Sequence, residues 1–279
     1  MARVLLTGAT GFVGRQILNL LEVQGHDIVV VLRPNWQDRI AIDTDRTRLI
    51  ETPDLFAMTS AWWCDALAGV DTVIHAAWYA EPGLYLTSSK NIDCLCGTLQ
   101  LAKAATQSGV KRFVGLGTCI EYEISQNPLS LETPLEPTTP YSAAKVAAFH
   151  TLQQWFLNEG VSFLWCRLFY LYGEGEHPKR LVPYLHDMLK QGEVADLTSG
   201  HQIRDFIEVK RAAQMIVDGS FSQTEGAANI CTGQGRTVRD LAEEIADVYG
   251  RRDLLNFGAR PDNLVDPPSI VGIPTDFSS

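Results

Sequence analysis

The chain has 279 residues, 46% of them hydrophobic and 20% charged, and a formal net charge of −10. That length is enough for one large domain, or a large and a small one, around a substantial core. The acidic balance, with no lysine- or arginine-rich run, argues against a nucleic-acid surface, and no stretch approaches the roughly 18 apolar residues of a membrane span. The opening MARVLLTG enters a strand at once, without the n-region and cleavage site of a signal peptide, so a cytoplasmic protein is expected. Six cysteines are scattered through mostly apolar segments. They do not read as a disulfide framework, and Cys94-x-Cys96 reads as two small buried side chains rather than a metal site.

In chain order, short β-branched runs alternate with longer helical patterns. The runs are RVLLT (3–7), DIVVVL (27–32), a weak RLIET (48–52), DTVIHAA (71–77), RFVGLGT (112–118) and VSFLWCR (161–167), with amphipathic stretches near 12–24, 59–69, 90–108 and 141–158. Strands apolar on both faces and separated by helices predict a parallel, doubly wound α/β sheet over residues 1–167. Past residue 168 the rhythm loosens into FYLYGEGEHPKR, a helix LVPYLHDMLKQG, GHQIRDFIEV, a helix RAAQMIVDG, a strand ANICT and a helix VRDLAEEIADVYG. The ending RRDLLNFGARPDNLVDPPSIVGIPTDFSS reads as loop. Residues 168–279 are therefore expected to form a smaller substrate-binding region, partly interleaved with the sheet.

Between the first strand and the first helix stands TGATGFVG, with Gly8, Gly11 and Gly14 at three-residue spacing. In a strand–turn–helix context the first glycine permits the tight turn, the second lets backbone approach a pyrophosphate, and the third lets the helix pack against the strand. A helix beginning near Phe12 offers free N–H groups and the positive end of its dipole. Gly8, Thr10, Gly11, Phe12, Val13 and Gly14 are thus the expected dinucleotide cradle. An acidic residue after the second strand would take the ribose hydroxyl of NAD, whereas that strand ends in Arg33, which suits the 2′-phosphate of NADP. NADP is favoured, with NAD as the alternative.

In TTPYSAAKVAAFH, Thr138 or Thr139 caps a helix that Pro140 starts, so Tyr141 and Lys145 fall on one helical face. A lysine ammonium beside a phenol is expected to lower its pKa and make it a general acid or base near neutrality. Thr118, at the carboxyl edge of its strand, can add a hydroxyl to the same oxygen. Tyr79, in the loop after the fourth strand, is placed to line the same cleft.

TGATGFVG, Asp54-Leu55, HAA at 75–77, Asn91 ahead of GTLQLAKAA, GTCIEY at 117–122 and YSAAK at 141–145 resemble the extended short-chain dehydrogenase/reductases of the nucleotide-sugar epimerase/dehydratase type. The resemblance continues through RLFYLYGEG, RDFIEV and NICTGQG. It implies that Asp54 and Leu55 lie at the adenine and that His75, Ala76, Ala77 and Asn91 lie along the cofactor. Thr118, Tyr141 and Lys145 would stand at the reacting carbon, and Tyr141 and Lys145 also at the cofactor. Arg204 and Arg260 would hold the substrate's diphosphate. It also implies a homodimer built on the helices near 90–108 and 141–158.

Two departures narrow the chemistry. Dehydratases of this family carry an Asp-Glu pair directly after the threonine, where this chain has Cys119 and Ile120. Glu121, one step further along a strand, is expected to point to the other face. Relatives that epimerise C3 or C5 use a cysteine two residues after the hydroxyl residue, and Cys119 is only one after, so it reads as a packed thiol. What survives is chemistry at a single carbon, best a nucleotide 4-keto-6-deoxysugar reductase. The alternatives are a 4-epimerase with tightly bound NAD, reduction of other carbonyl compounds on the same scaffold, and a non-catalytic dinucleotide-binding protein. Ser142 stands where the family has glycine, and the resemblance ends before the family's usual last helix.

Overall fold

A computed structural model describes residues 2–43, 45–262 and 267–277. Strands β1 (Arg3–Thr7), β2 (Asp27–Leu32), β3 (Thr47–Glu51), β4 (Thr72–His75), β5 (Arg112–Thr118) and β6 (Ser162–Leu168) alternate with helices α1 (Phe12–Val23), α2 (Ser60–Ala66), α3 (Lys90–Gln107) and α4 (Pro140–Glu159). All neighbouring pairs run parallel, in the order 3-2-1-4-5-6. The β1 sequence shows why such a sheet needs two helical layers. Val4 and Leu6 face Ile17, Leu18 and Leu21 of α1, while the intervening Leu5 faces Trp63 of α2 and Leu101 of α3 on the other side. Alternate residues point to opposite faces, so a strand buried on both sides must be apolar throughout. Each such Leu or Val removed from water contributes about 1.5–3 kcal/mol.

Beyond β6 come β7 (Tyr170–Tyr172), α5 (Leu181–Gln191), β8 (Ala195–Leu197), β9 (Ile203–Glu208), α6 (Val209–Phe221), β10 (Gly226–Ile230), β11 (Gly235–Thr237), α7 (Val238–Tyr249), β12 (Leu255–Phe257) and β13 (Ser269–Ile270). The chain here returns to the main sheet. Strand β10 pairs with β6 as its seventh strand, and α6 packs beside α1 through Ala212, Ala213, Ile216 and Val217. The other elements build a lobe of their own. Helices α5 and α7 enclose Leu185, Leu189, Leu241 and Ala246, and β7, β11 and β13 all pair with β9.

Several expectations need correction. The ending is not simply loop: β12 pairs with β8 and β13 with β9, partners too distant in sequence for a local pattern to reveal. Cys94 is buried, but Cys96, two residues along α3, is exposed. Residues 119–121 do not continue β5; they wind into a 3-10 turn. Among the described residues no helix is long and apolar enough to cross a membrane.

Candidate functional site

Because every strand of the main sheet points the same way, their carboxyl ends form one edge, and the order reverses at the β1/β4 boundary. A crevice opens outside the strand ends at such a switch point. Gly8 follows β1, Arg33 follows β2, Asp54 follows β3, Ala76 and Ala77 follow β4, and Thr118 closes β5.

The three glycines differ in what they do. Gly8 has φ +78, and a Cβ there would lie 2.7 Å from the Ala77 nitrogen and 2.8 Å from the Ala76 carbonyl carbon. Both the left-handed backbone and the neighbouring strand end therefore require glycine. A Cβ on Gly14 would stand 2.1 Å from the Gly8 oxygen, so α1 rests directly on the turn. Gly11 is exposed, and its Cβ would meet only the Gly8 oxygen, at 3.1 Å. As the N-cap of α1 it carries no side-chain hydrogen bond, and the first N–H groups of the helix, from Phe12 and Val13, lie behind a methyl-free mouth. Those features fit a dinucleotide pyrophosphate. Thr10 sits in the same turn, its carbonyl accepting from Arg15 Nη2 at 3.3 Å.

Arg33 is exposed and makes no hydrogen bond or ion pair among the described residues. Asp54 is also exposed and caps a 3-10 turn by accepting from Phe56 N at 2.9 Å, while Leu55 packs into the α2–α3 core. The side-chain polar atoms of His75 and Asn91 are engaged within the protein. The His75 ring is buried between Thr7 Oγ1 (2.8 Å from Nδ1) and Thr98 Oγ1 (2.9 Å from Nε2). Thr98 donates to Cys94 O at 2.7 Å and Thr7 accepts from Ala77 N, so the network assigns the proton to Nε2 and leaves Nδ1 an acceptor. Burial and the Lys145 charge hold the ring neutral, with its pKa down to about 3. Through Thr7 it fixes the Ala76–Ala77 backbone, which borders the cradle. Asn91 is fully buried, donates to Tyr85 O (2.6 Å) and Ser88 O (2.9 Å), and accepts from Trp78 Nε1 (2.9 Å). Its amide is fully engaged, and it ties down the loop after β4.

Tyr141, Lys145 and Thr118 do come together. Thr139 caps α4 by accepting from Ser142 N at 3.1 Å, with Pro140 at the first turn. Ser142, the departure from glycine, returns the bond: its Oγ accepts from Thr139 N at 3.1 Å. The next helical turn places Tyr141 and Lys145 on one face. The Thr118 side chain acts on the phenol, and the Tyr85 ring stands edge-on to it at 4.8 Å. Lys145 Nζ donates to Leu116 O at 2.6 Å and lies 3.7 Å from the centre of the Trp78 ring.

This geometry reverses one expectation. The ammonium sits 5.9 Å from the Tyr141 ring centre, directed at a carbonyl and an indole face rather than at the phenol oxygen. Burial, with Tyr85, Glu121 and Cys119 nearby, pushes the phenol above its ordinary value, and the Thr118 side chain opposes this. Tyr141 is therefore a protonated group at neutral pH, a donor. Burial lowers Lys145 to about 7, against the pull of Glu121.

Cys119 packs with Tyr122, Leu129, Phe169 and Cys231, and burial raises its thiol to about 12. Glu121 does not point away from the site. The 3-10 turn swings it back under β5, where it accepts from Thr118 N at 2.8 Å and pairs with Arg167 at 2.8 Å. Trp78 is a site residue that the sequence reasoning misses; the aromatic directly after HAA, at a strand's carboxyl end, is its only signal. Tyr79 is half-buried under the Lys90 ammonium at 4.7 Å. Arg204 is buried on β9, where it acts on the Cys119 thiol and lies 5.2 Å from the Tyr170 ring centre. Arg260 remains on the surface of the small lobe, donating to Tyr184 Oη at 3.2 Å.

Residues 4–218 match the model of the NAD dependent epimerase/dehydratase family. A dTDP-6-deoxy-L-talose 4-dehydrogenase (NAD(+)) of Aggregatibacter actinomycetemcomitans is 21% identical over 273 residues, covering 96% of this chain and 98% of that protein. A GDP-6-deoxy-D-mannose reductase of Pseudomonas aeruginosa is 25% identical over 257 residues, covering 88% and 80%. Among solved structures, MoeE5 in complex with UDP-glucuronic acid and NAD is 26% identical and superposes with a TM-score of 0.81 over 97% of this chain and 89% of that one.

Proposed function

The chain belongs to the NAD dependent epimerase/dehydratase family, as an enzyme of the short-chain dehydrogenase/reductase type, and on that footing we propose that it reduces the 4-keto group of a nucleotide-linked 6-deoxysugar. The observation that carries this reading is a hydroxyl, a phenol and an ammonium gathered at one strand end, with no free carboxylate beside them among the described residues. Positions 119 and 120 hold a packed thiol and an isoleucine, and the carboxylate of Glu121 is locked to Arg167 beneath the strand. Positions 119 and 120 thus offer no acid or base for the proton transfer at a second sugar carbon that dehydration needs.

A bound reduced nicotinamide would supply the hydride. Tyr141, held protonated, donates its proton to the keto oxygen. Thr118 hydrogen-bonds that same oxygen and fixes its direction. Lys145 places a positive charge behind the phenol as its proton leaves, and holds the cofactor ribose. The cradle from Gly8 to Gly14 takes the pyrophosphate, Asp54 and Leu55 border the adenine, and Arg33 favours NADP over NAD. Tyr79 lines the sugar pocket, while Arg204 and Arg260 receive the diphosphate. The protein works as a cytoplasmic homodimer through α3 and α4, a reading supported by the exposure of Ile92 and Leu157 on those helices.

The test is cofactor oxidation, with NADPH and NADH, against a panel of nucleotide 4-keto-6-deoxysugars. A substrate-dependent trace that falls by about 10²–10⁴ in Tyr141→Phe supports the reading. A flat trace with every sugar refutes it. Turnover without added cofactor would favour a 4-epimerase instead.

A further inference from the structure

Beneath the Thr118 end of β5 lies a buried polar cluster that the proposed chemistry does not use. Glu121 is 0% and Arg167 2% exposed, and their ion pair measures 2.8 Å. Trp165 Nε1 donates to both Glu121 oxygens at 3.1 Å. Arg167 Nη1 donates to Tyr122 Oη at 3.0 Å, Tyr122 donates to Asn229 Oδ1 at 2.7 Å, and Asn229 Nδ2 donates to Leu129 O at 3.0 Å. The rings of Tyr122 and Phe149 each lie 4.6 Å from the guanidinium carbon. A buried ion pair is a weak source of stability, because apolar side chains of the same volume do as well or better. This one touches the site directly, through the Thr118 N–H.

We propose that Glu121 is a positioning residue of the site: gripped by Arg167 and Trp165, its carboxylate fixes the backbone of Thr118 and opposes the Lys145 ammonium with a negative charge. The proposal rests on the reading of Thr118, Tyr141 and Lys145 as the reacting set. Lys145 is buried, in surroundings that favour its neutral form. The groups facing it are His75 from β4, Cys94 from α3, Tyr141 from its own helix, and Glu121 from the turn after β5. His75 is neutral, and burial keeps the Cys94 thiol and the Tyr141 phenol protonated. The negative charge among them is that of Glu121, held by Trp165, whose ring centre lies 5.6 Å from Lys145 Nζ, and its removal leaves burial opposed by the Leu116 carbonyl and the Trp78 ring face.

The experiment uses the full chain carrying lysine labelled with ¹³C at Cε, as wild type, Glu121→Gln, and Glu121→Gln combined with Arg167→Met. The double variant strands no guanidinium, so it reports even if the single variant fails to fold. Near-UV circular dichroism checks the fold, and Lys145→Met assigns the resonance. The Lys145 titration midpoint should fall by about one pH unit or more in the folded variants, with Glu121→Asp in between. The alkaline loss of kcat should move to lower pH by the same amount, at nearly constant KM. An unchanged Lys145 titration in a folded variant, or a fall in kcat without a shift of its pH profile, overturns the proposal. If no sugar is turned over by the wild type, the functional reading fails, while the resonance alone still supports or overturns the place given to Glu121.

Discussion

Replacing Gly14 with alanine would set a methyl carbon 2.1 Å from the Gly8 oxygen, 2.7 Å from the Gly8 carbonyl carbon and 3.1 Å from Ala9 Cα. All three are backbone atoms, so no side chain can turn aside. Reaching ordinary contact requires α1 to move off the turn by roughly 1 Å. Overpacking of this kind costs about 1–3 kcal/mol, and two facing backbones put it at the upper end. For a protein of this size that lowers Tm by about 5–10 °C. The same displacement carries away the N–H groups at the start of α1, so cofactor affinity should fall by tenfold or more, about 1.4 kcal/mol per factor of ten. Gly11→Ala is the control. Its methyl meets only one oxygen, at 3.1 Å, on an exposed turn with φ −83, so Tm should move little. That methyl nonetheless fills the mouth of the cradle, and affinity should still drop. Scanning fluorimetry without cofactor and titration calorimetry with NADPH and NADH separate the two effects. A Gly14→Ala protein with wild-type Tm and affinity would refute the packing argument, and a Gly11→Ala protein binding cofactor normally would refute the cradle.

Further outcomes follow from the buried groups. Lys145 has its folded-state pKa lowered to about 7, so the unfolded chain binds the extra proton between about pH 7 and its ordinary value of 10.5, and stability should rise with pH across that window. Lys145→Met should flatten that rise and raise stability at neutral pH by a few kcal/mol at order of magnitude, while abolishing turnover, as measured by urea unfolding and cofactor oxidation. His75 is depressed to about 3 from 6.5, so stability should be lost as pH falls through that interval; a His75→Gln protein with the same acid slope would disprove this. Arg33→Ala should weaken NADPH binding about tenfold and leave NADH unchanged, read from KM for each.

Strands apolar on both faces announced the parallel sheet, because nothing else buries Val4, Leu5 and Leu6 at once. The glycine run and the Thr139-Pro140 start of α4 were legible because backbone geometry dictates those residue types locally. The site was less so. Glu121 was misplaced because alternation along a strand assumes the strand continues, and whether it ends at Thr118 depends on a turn closed by Glu121 itself. The Tyr141–Lys145 spacing is a local fact, but the direction of the ammonium depends on Trp78, from the loop after β4, and Leu116, from β5. Asn91 and His75 carry polar atoms that suit a cofactor equally well. Only the partners supplied by Trp78, Tyr85, Thr7 and Thr98 show where those atoms are engaged.

The return of the chain to the sheet after β9 bears on how this protein can diversify. The outer lobe is built from two stretches, one carrying β7, α5, β8 and β9 and the other β11, α7, β12 and β13, on either side of α6 and β10, which pack into the main sheet. Exchanging substrate specificity with a relative by a single crossover at residue 168 would therefore import a foreign seventh strand and a foreign neighbour for α1 along with the new pocket. A chimera built with two grafts, leaving 209–230 native, keeps the seven-stranded sheet and the α1–α6 packing intact.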